Sequence, residues 1–150
     1  MNISDWSETQ ETALYIWKYR DRPNHGYHLD GDQESVRWLR EIVTALLGSA
    51  RRVHVFHLAK PPGYVTAGPR IGQRPKAFKR LKLQVTEEQQ AASKELKLLE
   101  HKDELTLSLN SAQLQEFAQV LDEYLKGHWD FCYGNLHFWP YFQWHQQKRR

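Results

Sequence analysis

The chain has 150 residues, of which 40% are hydrophobic, 26% charged and 13% aromatic. That balance excludes a disordered or fibrous chain and describes one globular domain long enough to bury a core. The net charge of +3 permits an anionic partner without requiring one.

Residues 1–12 are polar and read as a flexible N-terminus. They lack the basic start and apolar centre of a signal peptide, and no apolar run along the chain is long enough to span a bilayer. Cys132 is the single cysteine, so an intrachain disulfide and a cysteine zinc cluster are both excluded. A cytoplasmic protein without a membrane partner is the expectation.

Ala13 to Tyr19 is a run of β-branched and aromatic residues, read as a first strand with Leu14 and Ile16 on one face and Tyr15, Trp17 and Tyr19 on the other. Pro23, Asn24 and Gly26 punctuate a turn, and Tyr27 to Gly31 returns as a second strand hairpinned to the first. A helix follows over about Gln33 to Leu47, with Asp32 as its cap and Gly48 and Ser49 at its end. Its apolar stripe is Val36, Leu39, Ile42, Val43, Leu46 and Leu47. Arg51 to Ala59 then alternates as a third strand. There His54 and His57 face opposite sides, with His54 expected toward solvent and His57 on the face of Val53 and Val55.

Residues 60–75 hold four of the six prolines and form a Pro/Gly-rich loop, of a length that is commonly functional. Arg80 to Val85 is a fourth strand. Residues 86–101 are ambiguous: Thr86 with Gln89 makes a capping box and Ala92, Leu96 and Leu99 share a helical face, yet ELKLLEHKDELTLSL also reads as a hairpin. A short helix running into a tight turn is the favoured reading.

The stretch from Leu105 to Tyr133 is the most strongly patterned. Leu105, Leu107 and Leu109 alternate as a strand, and Asn110 with Gln113 forms a capping box. Leu114, Phe117, Val120, Leu121, Tyr124 and Leu125 make the stripe of a second helix that Gly127 ends. Leu39, Val43, Phe117 and Leu121 centre the two stripes and are expected in the core. Phe131 and Tyr133 restart a period of two. Shifting the first helix by 78 residues (110 − 32) superimposes the two stripes without a gap and places Val53 and Val55 on Phe131 and Tyr133. A duplicated β-α-β half accounts for this match, and so does shared periodicity alone. Residues 134–150 form an aromatic and basic C-terminal tail.

The expected architecture is a single α+β domain: a mainly antiparallel sheet of about five or six strands with both main helices on one face. His28, Asp30 and Asp32 alternate and are the weak candidates for a metal-dependent hydrolase site, although Asp32 already serves as a cap. Gly63, Gly68 and Gly72 are too widely spaced for a phosphate loop, and no cofactor is expected. Cys132 reads as a half-buried structural thiol. Basic residues cluster from Arg70 to Lys82. Of these Arg74, Lys76, Lys79, Arg80 and Lys82 form a candidate nucleic-acid surface.

The functional reading that fits best is a non-enzymatic protein-binding module, with another protein as partner. Tyr64, Arg70 and Arg74 of the loop and Trp139, Phe142 and Trp144 of the tail are its candidate contacts, because aromatic and arginine side chains anchor interfaces. At the level of general plan alone, the chain resembles bacterial immunity proteins and similar adaptors. Nucleic-acid binding and metal-dependent hydrolysis are the alternatives.

Overall fold

The computed structural model describes residues 13–20, 26–61, 75–87, 96–127 and 131–138. Their order is β1 (Leu14–Tyr19), β2 (Tyr27–Gly31), α1 (Gln33–Leu47), β3 (Val53–His57), β4 (Pro75–Ala77), β5 (Arg80–Val85), β6 (Lys97–His101), β7 (Glu104–Leu109), α2 (Ser111–Leu125), β8 (Phe131–Tyr133) and β9 (Leu136–Phe138). The class is α+β, as the pattern requires. The nine strands form two sheets rather than one, in the orders β4-β1-β2-β9-β8 and β3-β5-β7-β6. All neighbouring strands are antiparallel except β2 with β9 and β5 with β7.

Both helices start where the caps stand. The Asp32 carboxylate accepts from the Ser35 N–H at 2.8 Å. Asn110 and Gln113 exchange the reciprocal pair of bonds of a capping box, at 2.8 and 3.0 Å. Gly127 follows α2 at φ +98°, a left-handed position that favours glycine. The four expected core residues, Leu39, Val43, Phe117 and Leu121, are all fully buried. The helices pack on each other and are tied across by Arg40 and Asp122 at 2.7 Å.

The two halves share one plan. Each runs hairpin, helix, strand and closing strand, so that β1, β2, α1, β3 and β5 correspond to β6, β7, α2, β8 and β9. Each sheet joins the opening hairpin of one half to the closing pair of the other, so the halves exchange their final strands. The helices are both 15 residues long and 78 apart (111 − 33 = 78), which is the shift read from the sequence. Beyond the helix the match slips by one. Ladder register sets Cys132 opposite His137 and Val55 opposite Lys82, so Val55 corresponds to Cys132 and the shift there is 77 (132 − 55). Phe56 therefore corresponds to Tyr133, and His54 to Phe131. This corrects the expected pairing of Val53 and Val55 with those aromatics.

The slip decides which side of β3 is inward. His54 and Phe56 are buried at 0% and 2% exposure, and His54 meets the Phe56 ring edge-on at 4.7 Å between centroids. His54 was expected toward solvent, and the reverse holds. In a short strand bounded by polar residues, alternation fixes two faces but does not say which one the neighbouring strand turns to the core.

Candidate functional site

Outward side chains of the second sheet form three rows, because strand alternation sends every second residue to the same face. Val53, Gln84, Ser108 and Lys97 make the first row, and Val55, Lys82, Thr106 and Leu99 the second. His57, Arg80, Glu104 and His101 make the third. None of them is buried, and Leu99 is 71% exposed. Among the described residues the face carries Arg80, Lys82 and Lys97 with one carboxylate, Glu104, and its two apolar side chains of the middle row, Val55 and Leu99, stand on the two edge strands. Among the described residues no Phe, Tyr or Trp lies on this face.

The corresponding face of the first sheet is the opposite in character. Pairing through the hairpins maps Trp17 onto Leu99 and Tyr15 onto Lys97, a shift of 82 (99 − 17 = 82) that reflects the shorter second hairpin. On this face Tyr15, Trp17, Tyr19, His28 and Asp30 are all buried. The inward face of the same strands is also buried: Leu14, Ile16 and Leu29 belong to the core, and a Cβ on Gly31 would stand 3.2 Å from Val36 of α1. Trp17 stacks on His28 at 5.5 Å between centroids, and Tyr19 meets His28 edge-on at 5.1 Å. His137 lies beyond, at 5.6 Å from His28.

The hydrolase candidates separate here. His28 and Asp30 share the buried face, and Asp30 accepts from the Tyr124 hydroxyl at 3.0 Å and from the Gly31 N–H at 2.8 Å. Asp32 has left the strand and caps α1. Among the described residues no three His, Cys, Asp or Glu side chains are placed to hold a metal ion. Cys132 is exposed on β8 rather than half-buried, since alternation sends the neighbouring Tyr133 to the other side of the strand.

A third polar group joins the two sheets. Glu100 of β6 accepts from Lys18 at 2.6 Å, from the Tyr27 hydroxyl at 2.8 Å and from Lys76 at 3.2 Å. Lys18 and Glu100 occupy corresponding positions of the two halves (100 − 18 = 82), so the internal two-fold passes between an amine and a carboxylate. Partial burial pushes the Glu100 carboxyl up, but the bonds from Lys18, Tyr27 and Lys76 outweigh it and hold the group below its ordinary 4.5. Burial, with Glu100 alongside, pushes the Tyr27 phenol up to about 12.

Glu100→Gln is therefore expected to cost about 1.5–3 kcal/mol near neutral pH, the range for a lost hydrogen bond to a charged group. A carboxyl depressed by folding stabilises above its unfolded value and loses that contribution as pH falls through the folded value. The gap between wild type and variant should then be constant above about pH 5 and close below 4.5. Urea titrations at several pH values measure it, and a gap that widened on acidification would contradict the ion cluster.

The expected contacts Tyr64, Arg70, Arg74, Trp139, Phe142 and Trp144 lie outside the described residues, as does most of the helix expected from Thr86. The end of that helix is a strand: Lys97–His101 pairs with β7 through a turn at Lys102 and Asp103, and Lys102 takes φ +54°. Leu99, expected on a helical face, is instead outward on that strand. Of the described part of the basic stretch, Lys76 turns to Glu100, Lys79 lies 3.8 Å from Asp103, and Arg80 and Lys82 share the open face, while Arg70 and Arg74 lie outside the described residues. Leu136 and Phe138, at the start of the tail, are buried residues of β9, an inner strand of the first sheet between β2 and β8. The open face went unread because the helical spacing of Leu96 and Leu99 competed with the hairpin pattern of the same residues.

Two ββαββ halves that exchange their closing strands, one outer sheet face buried and the other open, define the class of domain. No family model, curated protein or solved structure matches the chain. Among the described residues no helix is long and apolar enough to cross a membrane.

Proposed function

We propose that the chain is a non-enzymatic protein-binding module, an inhibitor or adaptor of the cytoplasm, and that the open face of its second sheet is the docking surface. One observation supports this most: Leu99, on the edge strand β6 of that face, is 71% exposed, while its counterpart Trp17 in the other half is 0% exposed. An exposed apolar side chain flanked by Thr106, Lys97 and His101 is the composition of an interface anchor set among polar groups. Tyr64, Arg70, Arg74, Trp139, Phe142 and Trp144 are kept in the proposal as further contacts.

Leu99→Asp tests the reading. An exposed strand position tolerates substitution within about 0.5 kcal/mol, so melting and circular dichroism should not change. A protein held by the wild type on an affinity column should be lost by the variant, because a buried unpaired carboxylate in an interface costs several kcal/mol (~2–5). Equal recovery of that protein by both forms would sink the proposal.

A further inference from the structure

We infer that the open face of the second sheet takes an acidic protein surface, with Lys82 receiving a carboxylate of the partner between apolar contacts at Val55 and Leu99. This rests on reading that face as the docking surface.

Lys82 lies on β5, with strands on both sides, in the row that runs from Val55 to Leu99. Among the described residues it has no ion-pair partner, whereas Lys18 and Lys76 share Glu100 and Lys79 has Asp103. A partner that covered Val55 and Leu99 would also desolvate the Lys82 amine, which is costly unless an anion meets it. Arg80 lies two residues along on the same face, and among the described residues Glu104 is the one carboxylate there. The face therefore selects negative charge and repels a basic surface.

A phosphate would also satisfy the amine. Single-stranded nucleic acid, however, needs a run of rings on which successive bases stack. Among the described residues the face has two, His57 and His101, on opposite edge strands with Arg80 and Glu104 between them, and valine, leucine, threonine and serine elsewhere. Carboxylates set beside apolar side chains fit it better.

A carbodiimide, which joins an amine directly to a carboxylate in contact with it, reads this geometry in the full-length protein. Applied to the complex captured by wild type, it should yield an amide between Lys82 and an Asp or Glu of the partner, identified by mass spectrometry. Lys82→Glu should weaken the complex at least about tenfold. A partner lost by Leu99→Asp but bound equally by Lys82→Glu, with Lys82 uncoupled, would overturn the acidic assignment and leave the docking face standing. A partner retained by both variants would overturn both. Capture that nuclease abolishes would replace the protein partner with nucleic acid.

Discussion

Phe117→Ala is expected to destabilise the protein by about 3–5 kcal/mol, the range for truncating a buried aromatic. Phe117 lies in the middle of α2, fully buried, with the Tyr133 ring at 5.8 Å and the Phe138 ring at 6.5 Å between centroids. It thus holds together α2, the strand that follows α2 and β9, which lies between β2 and β8 in the first sheet. Because the surrounding rings are fixed by the sheet, the cavity cannot collapse, and the cost falls in the upper part of that range. Chemical denaturation measures it. A loss below about 1 kcal/mol, the size of a surface change, would mean α2 does not face this core.

The second expectation sets two corresponding positions against each other. Trp17→Ala should also cost about 3–5 kcal/mol, whereas Leu99→Ala should change stability by no more than about 0.5 kcal/mol. Both residues are central in the first strand of their hairpin and occupy corresponding ladder positions. One is fully buried and stacked on His28; the other is 71% exposed. The indole nitrogen of Trp17 makes no hydrogen bond among the described residues, so its truncation removes packing alone. Parallel urea titrations of the two variants give the comparison. Similar losses at both sites would show that the outer faces do not differ as described.

Which parts of this fold can be read from sequence follows from how local each cue is. Asp32, Asn110 and Gln113 act within one turn of their helices, and the stripes from Val36 and Leu114 repeat every three or four residues. Both helices consequently stand where the pattern puts them. The exchange of closing strands is not local. It rests on Phe138 pairing with Leu29 and Leu83 with Leu107, contacts between residues that no periodicity links. The same limit applies to His54. Its strand alternates as expected, yet the side that is buried depends on β5, which turns Leu81 and Leu83 inward beside it. The open face was the least legible of all. Leu99 is a leucine in an amphipathic context, and nothing in its neighbours distinguishes a core residue from an interface residue. Lys82 likewise gives no sign in sequence that, unlike Lys76, it lacks a carboxylate.

That one half keeps its outer sheet face buried while the other leaves it open for a partner is tested most directly by solvent paramagnetic relaxation. A soluble gadolinium chelate should broaden the Leu99 methyl signals strongly in the free protein and leave the Trp17 indole untouched. Adding the captured partner should protect Leu99 without altering Trp17. Leu99 methyls already protected in the free protein, or broadened to the same degree with the partner bound, would contradict the account.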